Sequence, residues 1–301
     1  MSRFTFADIP DQTGRTFLIT GANTGIGFTA SRELAGRGAR VLMACRNADK
    51  ARAAQQGIAQ DYPSADTVFL PLDLSDPASV RRAAGIAVQE QRIDVLVNNA
   101  GIMNPLLGHA FGVEQQFGIN HLAHFALTGL LLDKLSGPDP RVVTLASLAH
   151  LRGDIDFTNL DAGKSYARQR FYNQSKLANI LFATELDRRL RAAGSPVKSV
   201  CCHPGIAGTE LGRGGLNGAV FALAGVILND ATQGALPTLQ AATDPAVQGG
   251  EYFGPQGLFG MRGSSSGRAR RAARSKDFDL ARRLWDVSID LTGIDPDLPP
   301  A

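Results

Sequence analysis

At 301 residues with 44% hydrophobic content, the chain has enough apolar material for one large core, and no Pro/Gly/Ser linker divides it before about Gly263, so a single domain is expected. Three cysteines (Cys45, Cys201 and Cys202) are too few for a disulfide framework. The run Ala219 to Leu228 is too short to cross a bilayer, and Met1 to Pro10 carries Asp8 but no signal-like apolar core, which predicts a cytoplasmic protein without a transmembrane span. The net charge of +3 is concentrated at the C-terminus, where Arg262 to Arg283 alone carries +6; with no interleaved aromatics or nucleic-acid motif, this segment reads as a solvated loop and helix face and excludes nucleic acid as the expected partner.

In chain order, residues 1–14 form an N-terminal extension. An apolar strand, Thr16–Thr20, then runs straight through Gly21-Ala22-Asn23-Thr24-Gly25-Ile26-Gly27 into a helical pattern. Such a turn aims unpaired backbone N–H groups and the positive helix end at one spot, which suits a pyrophosphate. Gly21 allows the sharp turn, Gly25 lets phosphates approach the backbone, and Gly27 permits close packing of helix on strand. The spacing is G-x-x-x-G-x-G, and an ordinary βα turn would read the same way.

Further strand-like runs follow at Val41–Cys45, Val68–Leu72, Val95–Asn98, Arg141–Ser147 and Lys198–His203, alternating with helix-length segments. This is the pattern of an α/β fold with a Rossmann-type doubly wound parallel sheet, and the polar or glycine residues after several strands should gather along its carboxyl edge, where ligands bind. After the second strand, an acidic residue would hydrogen-bond the ribose of NAD, but Cys45-Arg46-Asn47 stands there. Arg46 can pair with a 2′-phosphate through its planar fork, so NADP(H) is favoured over NAD(H).

Tyr172 and Lys176 lie four apart on a helical pattern whose buried face is Leu177, Ile180, Leu181 and Leu186, so both should emerge on one side. A free tyrosine is only about 0.1% ionised at pH 7, and a cation within several ångströms can lower its pKa by roughly 1–3 units, bringing proton transfer into a useful range. A surface pair would show the same spacing. His121 and His124 could be drawn as metal ligands, but no convergent cysteine or carboxylate completes a site, so no metal is expected and the pair reads as helix packing. The apolar stretch Leu122 to Leu135 implies burial or a subunit contact, and Ser264 to Gly267 is the expected place for local disorder.

Taken in order, Thr20-Gly21-x-x-x-Gly25-Ile26-Gly27, Asp73-Leu74, Asn98-Asn99-Ala100-Gly101, Asn120, Ser147, Tyr172-x-x-x-Lys176 and His203-Pro204-Gly205 resemble the short-chain dehydrogenase/reductase family, over roughly Arg15 to Gly260. The resemblance implies a nicotinamide-dependent oxidoreductase with a catalytic tetrad. Tyr172 would exchange the proton, Ser147 would hydrogen-bond the reacting oxygen, Lys176 would lower the Tyr172 pKa and hold the nicotinamide ribose, and Asn120 would position a water toward Lys176. Cofactor contacts are implied at Gly21, Asn23, Thr24, Gly25, Ile26, Gly27, Arg46, Asn47, Asp73, Leu74, Asn99, Ala100, Gly101, Lys176, Pro204, Gly205, Ile206 and Thr209.

Two departures bear on substrate. Ser147 and Tyr172 are 25 positions apart, about twice the spacing of compact members, which makes His150 to Arg168 an insertion. With Ala44-Cys45-Arg46-Asn47, Ser175-Lys176-Leu177-Ala178-Asn179 and Leu284-Trp285-Asp286-Val287-Ser288, it resembles the retinol dehydrogenase-like branch, implying a small lipophilic aldehyde, ketone or alcohol. Ala146 replaces the serine that usually precedes the catalytic one.

The resemblance makes residues 15–260 the dinucleotide-binding catalytic domain, with a substrate lid at 209–229, and leaves 261–301 as a basic segment ending in a helix. Met103, Asn104 and Pro105 should touch the substrate pocket. In related enzymes the Leu122 and Tyr172 helices pair across a dimer, so a homodimer is expected. The same residues leave two other readings open: a carbon–carbon double-bond reductase and a non-catalytic NADP(H)-binding sensor.

Overall fold

The computed structural model describes residues 3–205, 231–257 and 260–301. Its strands are β1 (Thr16–Thr20), β2 (Arg40–Cys45), β3 (Asp66–Pro71), β4 (Val95–Asn98), the short pair β5 (His109–Ala110) and β6 (Val113–Glu114), β7 (Arg141–Leu145), β8 (Lys198–Cys202), β9 (Tyr252–Pro255) and β10 (Ser266–Arg268). The main sheet has the order β10-β9-β8-β7-β4-β1-β2-β3 and is parallel throughout except for β10, which runs antiparallel to β9. The chain order reverses between β1 and β4, so this crevice at the carboxyl edge is the topological switch point.

The helices are α1 (Gly25–Ala35), α2 (Ala48–Asp61), α3 (Pro77–Ala87), α4 (Gln115–Phe117), α5 (Ala123–Leu131), α6 (Arg168–Ala192), α7 (Ala231–Thr243) and α8 (Phe278–Thr292). Local chemistry starts and stops them. Asn47, Asp76 and Asp277 cap α2, α3 and α8 by accepting from backbone N–H groups, Pro77 opens α3, and Gly293 ends α8 in the left-handed region at φ 62°.

Alternation along β1 divides the core. Phe17 and Ile19 pack with Ile26, Leu34, Leu236 and Leu239 on the face of α1 and α7, whereas Leu18 packs with Val80, Phe125, Phe182 and Trp285 on the face of α3, α5 and α6. The apolar helix α5 is thus buried within this one chain. Trp285 of α8 seals it, edge-on to Phe125 at 5.1 Å and stacked on Phe182 at 6.1 Å.

The C-terminal segment departs from its sequence reading at the serine run. Ser264 to Gly267 was expected to be disordered, but Ser265 and Ser266 are buried and β10 forms the sheet edge, exchanging backbone hydrogen bonds with Phe4 at 3.0 and 2.8 Å. The N-terminal residues thereby close an edge strand that would otherwise expose its donors and acceptors.

Most of the basic side chains of this segment are exposed, as a solvated face would be, and several of them have partners. Arg271 is partly buried and donates to Gly250 O, Ser275 O and Thr184 Oγ1; Arg268 pairs with Glu251, Arg274 with Asp154, and Arg283 lies over the Phe157 ring. The three cysteines are free and buried.

Candidate active site

The Thr20 to Gly27 turn is shaped as a cradle. Gly21 and Gly25 adopt φ 67° and 57°, and a Cβ on Gly27 would stand 2.3 Å from Gly21 O and 2.6 Å from Asn99 Nδ2. Helix α1 begins at Gly25 with no side-chain cap from Thr24, so its first-turn amides face the switch-point crevice without a protein acceptor from that residue. These features fit a dinucleotide pyrophosphate: a concave backbone wall, a positive helix end and no Cβ in the way.

The second wall is hung from the end of β1. Thr20 Oγ1 accepts from the N–H groups of Asn99 and Ala100, both at 2.9 Å, and Asn99 Nδ2 donates to Thr20 O at 2.7 Å. The Thr20 hydroxyl has two acceptors in reach, His124 Nε2 at 2.9 Å and Val97 O at 3.4 Å, of which His124 is the nearer. His124 then carries its proton on Nδ1, which donates to Asn120 O at 3.0 Å. Burial pushes His124 down to about 4, which keeps this neutral form at pH 7. Sequence reading placed His124 in helix packing; its link between the cradle and Asn120 carries no sequence signature.

Asn120 lies in a π-helical turn, Gly118–Leu122, between α4 and α5, where Ala123 N reaches back to Gly118 O. That irregularity, also invisible in the sequence, marks a functional position in many helices. Asn120 Oδ1 accepts from Ile102 N at 2.8 Å, and its Nδ2 donates to Ile102 O and Ser175 Oγ, both at 3.0 Å. It thus clamps the Asn98 to Gly101 strand end onto α6. A Cβ on Gly101 would meet Asn120 Oδ1 at 3.1 Å and Lys176 Nζ at 3.4 Å.

Ser147, Tyr172 and Lys176 converge. Ser147 follows β7, its Oγ accepting from Ala149 N at 3.2 Å, and its hydroxyl is close enough to the Tyr172 phenol to pull that group's pKa down. Lys176 Nζ lies 5.9 Å from the Tyr172 ring centre and donates to Leu145 O at 3.2 Å. Burial raises the Tyr172 phenol above its ordinary value and Ser147 lowers it only in part, so the net direction is opposite to the lowering expected from Lys176. Burial also pushes Lys176 down to about 8, against the opposing pull of Cys201 and Cys202. Desolvation of the buried phenol is the larger of the effects on Tyr172.

The remaining candidate residues have mixed placements. Arg46 is exposed at the end of β2. The Asn47 side chain caps α2 through Lys50 N at 2.8 Å, Asp73 accepts from Ser75 N and Oγ in a local turn, and Leu74 is buried in the core. Ala100 lines the Gly21 turn, Asn23 is partly buried, Thr24 is exposed and Ile26 is buried. Pro204 and Gly205 follow β8, with Gly205 at φ 78° and its N–H on His203 Nδ1 at 3.1 Å. Ile206, Thr209 and the 209–229 lid lie outside the described residues. Among those residues no cluster could hold a metal ion.

The 150–168 insertion packs beside this site. Tyr166 donates to Pro105 O at 3.0 Å, Glu114 N donates to Leu160 O, and Ile155 and Leu160 join a cluster with Phe117, Leu177 and Leu284. Asn104, at φ 53°, is held through its N–H on Gln116 Oε1 at 2.9 Å. A cavity of about 580 Å³ lined by Gly129, Leu132, Leu190, Pro196 and Asp295 lies elsewhere and contains none of the residues above.

A doubly wound sheet with a glycine cradle at its switch point and a Ser-Tyr-Lys group beside it defines a nicotinamide-dependent oxidoreductase. The chain belongs to the short-chain dehydrogenase family, whose model matches residues 15–215. It is 40% identical over 295 residues to human retinol dehydrogenase 13, covering 94% of this chain and 86% of that protein. The crystal structure of an uncharacterized protein from Mycobacterium paratuberculosis superposes with a TM-score of 0.82 at 40% identity, covering 98% of this chain and 99% of that one. The RhlG/NADP active-site complex from Pseudomonas aeruginosa shares the fold at 22% identity, with a TM-score of 0.64, covering 84% of this chain and 96% of that one. No helix among the described residues is long and apolar enough to cross a membrane.

Proposed function

We propose that this protein is an NADP(H)-dependent oxidoreductase that interconverts a lipophilic ketone or aldehyde and its alcohol. The observation that supports the reading is the convergence of Ser147, at the end of β7, with the buried Tyr172 phenol and with Lys176 Nζ, 5.9 Å from the Tyr172 ring centre on the next turn of α6. When bound, a reduced nicotinamide supplies a hydride. The protein's own part is then to meet the negative charge that grows on the substrate oxygen. Tyr172 gives that oxygen its proton, and Ser147 donates a second hydrogen bond, so both stabilise the transition state more than the ground state. In oxidation the same groups act in reverse.

Lys176 retains donors beyond the one on Leu145 O and faces the Gly101 side of the crevice, where it would hold ribose hydroxyls. The Gly21 to Gly27 cradle would hold the pyrophosphate, Arg46 the 2′-phosphate, and Asp73, Asn99, Ala100, Gly101, Pro204 and Gly205 the rest of the cofactor. The exposed Leu106, Leu107 and Leu151 beside Pro105 and the serine turn support an oily substrate, as does likeness to relatives named for retinol. A cytoplasmic location belongs to the same reading, supported by the three free cysteines.

The test is titration of NADPH and NADH, followed by turnover on a panel of hydrophobic and small charged carbonyls with wild type and Tyr172→Phe. NADPH should bind more tightly. Turnover should favour the hydrophobic panel and fall by about 10²–10⁴ in the variant, with cofactor affinity kept. Cofactor binding without turnover would favour a sensor, and a preference for NADH would remove the role of Arg46.

A further inference from the structure

His150 stands three residues after Ser147 and is fully buried, yet it belongs to neither the cradle nor the tetrad. Its Nδ1 is 2.6 Å from Ser147 O, and its Nε2 accepts from Ala272 N at 3.2 Å. The tautomer follows from these partners. A backbone N–H can only donate, so Nε2 carries no proton; a carbonyl can only accept, so Nδ1 carries it. Its ring packs edge-on against Tyr252 at 5.5 Å.

Ala272 is fixed in turn. Ala269 N donates to Tyr252 O at 2.8 Å, Arg271 reaches Gly250 O and Ser275 O, and Arg274 forms an ion pair with Asp154. The C-terminal segment is therefore a strap laid across the end of the sheet, and the imidazole joins it to the serine turn.

We propose that His150 is a positioning residue, a neutral imidazole bridge that uses the anchored C-terminal strap to hold the Ser147 turn in register with Tyr172. It rests on the reading of Ser147 as a donor to the reacting oxygen. Ser147 O already accepts from His150 N at 3.1 Å, as the start of a 3₁₀ turn. That local bond fixes the turn's shape but ties it to nothing outside. The imidazole supplies the connection to a distant part of the chain, and displacement of a reacting group by about 1 Å can cost about 10² in rate.

Three variants separate the two ends of the bridge. His150→Phe keeps a ring against Tyr252 and loses both hydrogen bonds. His150→Asn places an amide donor where Nδ1 stands, and His150→Gln places an acceptor where Nε2 stands. With NADPH and a hydrophobic carbonyl, the Phe variant should lose about 10- to 100-fold in kcat while its NADPH Kd holds within about twofold. Asn should recover most of that kcat. Gln should stay low in kcat but keep the Ala272 amide protected from hydrogen exchange. Parallel loss of kcat and NADPH affinity in the Phe variant, or an Asn variant no better than Phe, would overturn the proposal.

Failure of the enzyme reading would look different, as absent turnover in wild type. The bridge is then decided by imidazole nitrogen NMR of the wild-type protein. A neutral ring protonated on Nδ1 at pH 7 supports it, and one protonated on Nε2 overturns it.

Discussion

Lys176 and Asn179 donate to the same acceptor, the Leu145 carbonyl, at 3.2 and 2.8 Å. One turn of α6 thus grips the last residue of β7, and the strand that delivers Ser147 is locked to the helix that delivers Tyr172. The grip also explains how a buried ammonium keeps a fixed direction toward Gly101.

Because burial pushes Lys176 down to about 8, the charged form that suits an anionic cofactor prevails only below that value. NADPH affinity should hold up to about pH 8 and then weaken by about tenfold per pH unit, as expected for one proton coupled to binding. Lys176→Met should bind weakly with no such break. Fluorescence titration of NADPH across the alkaline range checks both.

Arg46 offers the planar fork just after β2, where Arg46 and Asn47 stand in place of an acidic residue. Arg46→Asp should weaken NADPH binding by about 10- to 100-fold, the worth of a charge-assisted bidentate contact, and tighten NADH. Kinetics with both cofactors would show the exchange; unchanged preference would place 2′-phosphate recognition elsewhere.

Trp285 is nearly fully buried between Phe125 and Phe182, with the Arg189 guanidinium 4.6 Å over its ring. Trp285→Ala should cost about 3–5 kcal/mol of stability, through lost burial and the cavity left behind. The apolar faces of α5 and α6 would then open, so urea unfolding should show the loss and light scattering should show new self-association.

Burial holds His121, His124 and His203 down at about 3, 4 and 3, below the ordinary value near 6.5. These are bases kept neutral by the fold, so the unfolded chain takes up their protons first. Their contribution to stability is complete above about pH 6.5 and is lost as pH falls toward 4 and then 3. Each ring adds up to about 1.4 kcal/mol per pH unit to the slope. Urea unfolding between about pH 7 and 5 should show steep acid destabilisation; a flat profile would mean that the rings take up protons as readily in the native state as in the unfolded chain.

The sequence by itself determined the elements whose physics is local. Phe17, Leu18 and Ile19 alternate as a β-strand must, Gly21, Gly25 and Gly27 stand where a turn and a close helix need them, and the four-residue step from Tyr172 to Lys176 places both on one helix face. These signals survive because they depend on period and steric permission within a short stretch.

What depends on distant chain segments was decided only by the tertiary structure. The segment 264–267 reads as a place for local disorder, and instead enters strand β10 because Phe4 and β9 supply its hydrogen bonds. The basic segment reads as a solvated face, and three of its arginines find acidic partners, Arg274 as far away as Asp154. The Tyr172 pKa turned on the same contrast: proximity to Lys176 is readable from spacing, but burial of both groups is not, and burial sets the direction.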